Sequence, residues 1–167
     1  MNLLNAIEAS AYAEWVRSSP SIFAYTTILS LHAIGLAIIV GINMLIALRL
    51  FGYGAEIPIP ALSKLFPWMY LGFTINALSG LSLLAANMSN DIGNWMFLLK
   101  LFLILLAMIN LEMLRSRVVN PAMVTGVAPK PIEAKLFGTS SLMLWGLAIV
   151  AGRLTEYPNF VHTWLGV

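Results

Sequence analysis

Four stretches of this chain are long, apolar and almost free of charge, and nothing else in the sequence constrains the fold as strongly. They run over about residues 21–50, 66–86, 95–114 and 134–154. Each offers the roughly 20 residues that carry a helix across a bilayer. Inside hydrocarbon every backbone N–H and C=O must be paired within the protein, which leaves helices or a closed barrel. Runs this long without period-two alternation are helical. Composition agrees: 60% of residues are hydrophobic and 10% are charged, and a soluble domain carries about 25% charged residues. The expected fold is therefore an all-α integral membrane domain over residues 1–167, an antiparallel four-helix transmembrane bundle.

The segments between the runs refine this. Residues 1–19 place Leu3, Leu4, Ile7, Ala11 and Trp15 at near-helical spacing, as in an amphipathic helix lying in the bilayer interface. No Lys or Arg precedes Arg17, so the segment lacks the positive flank of a signal peptide and reads as part of the folded protein. Phe51 to Pro60 has turn chemistry, Asn87 to Asn94 is a short polar loop, and Arg115 to Pro131, with three prolines and a glycine, reads as a loop. Residues 155–167 form a tail that carries His162 and Trp164.

Charge gives an orientation. The first and third loops hold Arg49, Lys64, Arg115, Arg117, Lys130 and Lys135, whereas the other side holds only Arg17 and Arg153. The positive-inside rule then puts the two loops in the cytoplasm and both termini in the periplasm of a bacterial inner membrane. No basic run exists that could track a phosphate backbone, so nucleic acid is not an expected partner; membrane lipid is. With no cysteine in the chain, thiolate metal sites, iron–sulfur clusters and disulfides are excluded. Isolated methionine pairs do not make a copper-transfer motif. A transporter is disfavoured by the lack of an inverted repeat.

Ionisable groups within a membrane are costly and point to function. Here they are His32 and Lys100. At 1.5 Å per residue from the outer span ends, His32 lies roughly 16 Å deep and the Lys100 Cα roughly 9 Å deep, in the same half. Tyr25, His32, Ile39 and Asn43 share one helix face, with Gly35 a turn from the histidine, where a missing side chain lets a flat macrocycle approach. Gly72, Asn76 and Gly80, and Gly138, Trp145 and Gly152, repeat at spacings that permit close helix contact. Arg153 stands at the outer end of the fourth span, where it could pair with emerging anionic groups such as propionates. These residues suit a haem with His32 as metal ligand and Gly35 and Arg153 around it; Lys100, at similar depth, either touches the cofactor edge or snorkels. A histidine that merely hydrogen-bonds a neighbouring Ser or Asn, and a lysine that snorkels to the headgroups, are the competing readings.

The segments LHAIGLAIIVGINMLIALRLFG around His32 and FLLKLFLILLAMINLEMLR around Lys100 resemble an uncharacterised family of small bacterial four-helix membrane proteins. More distantly they are similar to the CopD-like and HemJ-type protoporphyrinogen oxidase families. The HemJ resemblance implies that His32 ligates haem b and that Lys100 takes the role of a functionally important lysine. The expected activity is cytochrome b-like electron transfer, or a haem-dependent oxidation, with a redox partner. The second axial position is left open among Lys100, a methionine, His162 and no protein ligand. The alternative function is a cofactor-free anchor or accessory subunit of a larger membrane complex.

Overall fold

A computed structural model describes residues 3–127 and 129–157. Among them there is no strand: α1 (Leu3–Glu8), α2 (Ala11–Ser18), α3 (Tyr25–Phe51), α4 (Phe66–Ala86), α5 (Met88–Ile92), α6 (Trp95–Leu114), α7 (Asn120–Thr125) and α8 (Pro131–Leu154) follow in order. A 3₁₀ turn over Ile59–Leu65 leads into α4, and a π turn over Arg115–Val119 joins α6 to α7. Four helices, built on α3, α4, α6 and α8, are long and apolar enough to cross a membrane.

Local chemistry sets the ends. Gly52 stops α3 and Gly126 stops α7 with φ of 108° and 66°, in the left-handed region where a glycine has no Cβ to clash. Asn94 caps α6 by accepting from the Met96 N–H at 3.0 Å. Pro67 and Pro131 fall in the first turns of α4 and α8, where a missing N–H breaks no bond.

Three expectations are corrected. The first concerns Arg115 to Pro131. Its helix continues through the π turn and α7 as far as Thr125, because Pro121 also sits in a first turn and the π turn absorbs the change in register. The second is that the N-terminal segment is two helices, broken where Ser10 caps α2. Its packed side is not the apolar stripe counted in the sequence. Ala13 and Val16 are fully buried, while Tyr12 and Trp15 are exposed. The segment docks on the protein as well as facing outward: Tyr12 donates to Ser82 at 2.8 Å, Arg17 to the Ala86 carbonyl at 3.0 Å, and the Ser89 N–H to Glu8 at 3.0 Å. The third is that α3 starts at Tyr25 rather than Ser21, and that the Asn87–Asn94 connection contains α5.

Around the bundle α4 packs on α3, α3 on α8 and α8 on α6, whereas the backbones of α4 and α6 stay further apart. The tightest crossing is at Gly35 and Gly72. A Cβ on Gly35 would stand 2.7 Å from the Asn76 nitrogen and 2.8 Å from the Gly72 oxygen, both rigid backbone atoms. Buried amides bind the other pairs. Ser141 of α8 donates to Asn43 of α3, and Asn110 of α6 donates to the Phe137 carbonyl and accepts from Ser140 of α8. Such bonds hold helices together where burial of apolar area gives no advantage over lipid. One end of the bundle is solid, with Ile46, Phe66, Met69, Leu111, Leu114 and Phe137 in a single cluster. The other end encloses a cavity.

Candidate functional site

The cavity, about 550 Å³ in volume, lies among the start of α3, the end of α4, the start of α6 and the end of α8. It falls within the range of roughly 300–1,000 Å³ typical of small-molecule sites. His32 and Lys100 both line it, so the two ionisable groups placed at similar depth in the sequence do converge.

His32 is held by α4. Its Nδ1 lies 3.0 Å from the Asn76 carbonyl and 3.2 Å from Ser79 Oγ, and the Asn76 side chain returns a bond of 2.8 Å to the His32 carbonyl. The Ser79 hydroxyl spends its hydrogen on a main-chain carbonyl, Ile75 at 2.6 Å or Asn76 at 3.1 Å. Both partners of Nδ1 are therefore acceptors. Nδ1 must carry the proton, and in the neutral ring Nε2 keeps its lone pair. That is the arrangement in which a protein orients an imidazole for a metal, the far nitrogen tied to a carbonyl and the near one bare. Gly80 makes room for the ring: a Cβ there would come within 3.1 Å of His32 Cε1.

Lys100 runs its stem along α8. A Cβ on Gly152 would lie 3.2 Å from Lys100 Cδ, and the ammonium stands 5.9 Å from the Phe97 ring centroid. It makes no ion pair or hydrogen bond among the described residues. Arg153 lines the rim, donating to the Tyr157 hydroxyl at 2.8 Å with its guanidinium 5.1 Å from that ring. Arg17 reaches the same rim and pairs with Glu14 at 2.5 Å and Glu8 at 3.7 Å. Asp91 and Glu156 also line it. Burial pushes the Asp91 carboxyl up, and Glu156 adds to the effect. In contrast, the Ser89 hydroxyl and N–H hold Glu8 below its ordinary value.

Of the residues singled out from sequence, Gly35 is not brought to the cavity. It serves the α3–α4 crossing, and the glycines that line the candidate site are Gly80 and Gly152. His162 lies outside the described residues. Asn76 and Gly80 entered the sequence reading only as spacing; their link to His32 was within reach by depth, because His32 is seven residues into α3 and Gly80 six from the end of α4. Arg17 of α2, Asp91 of α5 and Glu156 just past α8 come from outside the four long helices, whose periodicity says nothing of where they lie.

Among the described residues no group of three or more His, Asp or Glu could hold a metal ion. A metal at His32 would have to bring most of its own ligands, as an iron porphyrin does. No family model, curated protein or solved structure matches the chain.

Proposed function

We propose that the protein is a multi-pass inner-membrane protein that binds b-type haem in the periplasmic half of an antiparallel bundle. His32 would hold the iron through Nε2. The observation that carries this reading is the forced tautomer of His32 at the wall of a cavity of about 550 Å³. The lining supports it further. Lys100 and Arg153 supply positive charge for two propionates, and the apolar walls, with Phe97, Ile104 and Trp145, suit a macrocycle. Bound haem would supply one-electron chemistry. The chain's part is to fix the imidazole through Asn76 and Ser79, to keep water from the ring face, and to hold a cation near the acidic edge. On this reading Gly35 acts at one remove, by letting α4 approach closely enough for Asn76 to reach the histidine.

One observation favours the cofactor-free anchor as a second reading: the two-way bond between His32 and Asn76 ties α3 to α4 without any ligand. A visible spectrum of the detergent-purified protein separates the two. Haem gives a Soret band that is lost in His32→Ala and kept in His162→Ala. Colourless protein that copurifies with a larger complex supports the anchor.

A further inference from the structure

The least closed side of the bundle is the seam between α4 and α6, whose backbones stay apart and whose side chains meet at the closed end. Along α6, Phe97, Lys100 and Ile104 line the cavity, and Met108 and Glu112 continue the same face at steps of four into a second hollow of about 440 Å³. Midway, the partly buried Phe73 of α4 and Ile104 and Met108 of α6 pack on the cluster of Ile39, Ala107 and Trp145. Among the described residues only one polar contact joins the two helices directly, Tyr70 donating to Glu112. It lies at the end away from the cavity. Arg115, the first residue of the π turn, completes it by donating to the Tyr70 hydroxyl at 3.0 Å, its guanidinium 5.6 Å from the Phe66 ring.

The rim at the helix ends is closed differently. There α1 and α2 are strapped across α4 and α5 by Tyr12, Arg17 and Glu8, and the rim carries Arg17, Asp91, Arg153 and Glu156. A largely apolar ligand would have to displace this strap and pass its charges, an expensive path in a low dielectric. Midway along the seam stand Phe73, Ile104 and Met108, all apolar.

We propose that the cavity takes up its ligand sideways from the hydrocarbon phase, through the seam between α4 and α6, with Tyr70, Glu112 and Arg115 as the latch at its far end. The identity of the ligand as haem rests on the reading above; the route does not.

The test uses the full chain in lipid vesicles. Because the chain has no cysteine, a pair of introduced thiols is unique. Phe73→Cys with Met108→Cys, joined by a cleavable bifunctional thiol reagent, closes the seam; Tyr12→Cys with Ser82→Cys, joined likewise, fastens the strap. Uptake of haem from preloaded vesicles should slow by about tenfold or more when the seam is closed, equivalent to about 1.4 kcal/mol on the barrier. It should recover on cleavage and be unaffected by the strap. Glu112→Gln and Tyr70→Phe should each speed it several-fold. A haem-independent readout is the fluorescence of Trp145 with the other four tryptophans changed to Phe. Brominated acyl chains should quench it more than aqueous iodide does, and closing the seam should remove the difference. Slowed uptake with the strap fastened but not with the seam closed, or stronger quenching by iodide, would overturn the route. If wild-type protein takes up no haem, the haem reading fails and the quenching alone decides the route.

Discussion

The two ends of this bundle are built from the same four helices and solve opposite problems. At the closed end, Phe66, Met69, Leu111 and Phe137 from three helices meet in one cluster, each at most 8% exposed. At the cavity end the helices present Gly80 and Gly152 instead, and the polar side chains His32 and Lys100 stand where the closed end has aliphatic ones. The lesson is that small residues at the cavity end admit polar side chains that the closed end has no room for. Gly80 and Gly152 leave room for the His32 ring and the Lys100 stem, and the Asn76 side chain ties α4 to the His32 carbonyl at the cavity wall.

If the closed end carries stability and the cavity end carries binding, truncation should separate them. Phe66→Ala should lower unfolding free energy by about 3 kcal/mol, as large aromatic truncations do, and leave ligand stoichiometry alone. Calorimetry or denaturant titration in detergent checks the first, and spectral titration the second. A milder disruption is Gly35→Ala. Its Cβ meets rigid backbone of α4, so the crossing must open at a cost of about 1–3 kcal/mol. Because Asn76 sits at that crossing, the bond to His32 should lengthen too. Gly146→Ala is the control: nothing lies within 4 Å of its Cβ, and relief of glycine's backbone entropy should stabilise the helix by about 0.5 kcal/mol. If the two variants were equally costly, the account of the α3–α4 contact would be wrong.

The smallest effect concerns charge at the cavity rim. Asp91 is pushed up by burial and then by Glu156, so the folded protein holds this proton more tightly than the unfolded chain. Stability should therefore fall as pH rises from the ordinary aspartate range through the raised value, and stay lower above it. Asp91→Asn should remove that fall and stabilise the protein at neutral pH. Glu8 has the opposite sign. Held low by Ser89, it contributes above the ordinary glutamate range and loses the contribution as pH drops through the lowered value, which Glu8→Gln should abolish. Thermal melts across acidic and neutral pH would show whether the two variants move in opposite directions.

Much of this architecture was legible because the four apolar runs admit few alternatives, and His32 and Lys100 were found together by counting depth. Other features were hidden for definite reasons. Arg115 to Thr125 looked like a loop because prolines were counted without regard to their place in a helical turn. The apolar stripe of the N-terminal segment gave no sign of which face meets the protein: Trp15 stays exposed, while Ala13 and Val16 pack inward. Gly35 was drawn to the wrong partner since a helical glycine announces close approach without saying to what. The Tyr70–Glu112–Arg115 contact joins helices whose relative placement no single helix encodes.

Haem binding at His32 turns on one nitrogen atom, Nε2, which ring-nitrogen magnetic resonance observes directly. With ¹⁵N-histidine incorporated and His162 changed to Asn, His32 is the sole imidazole in the chain. The ligand-free protein should show a protonated Nδ1, bonded to the Asn76 carbonyl, and an unprotonated Nε2. Added haem should shift or broaden Nε2 while Nδ1 keeps its proton. A proton on Nε2 in the free protein, or a spectrum that haem leaves unchanged, would contradict the assignment of His32 as ligand.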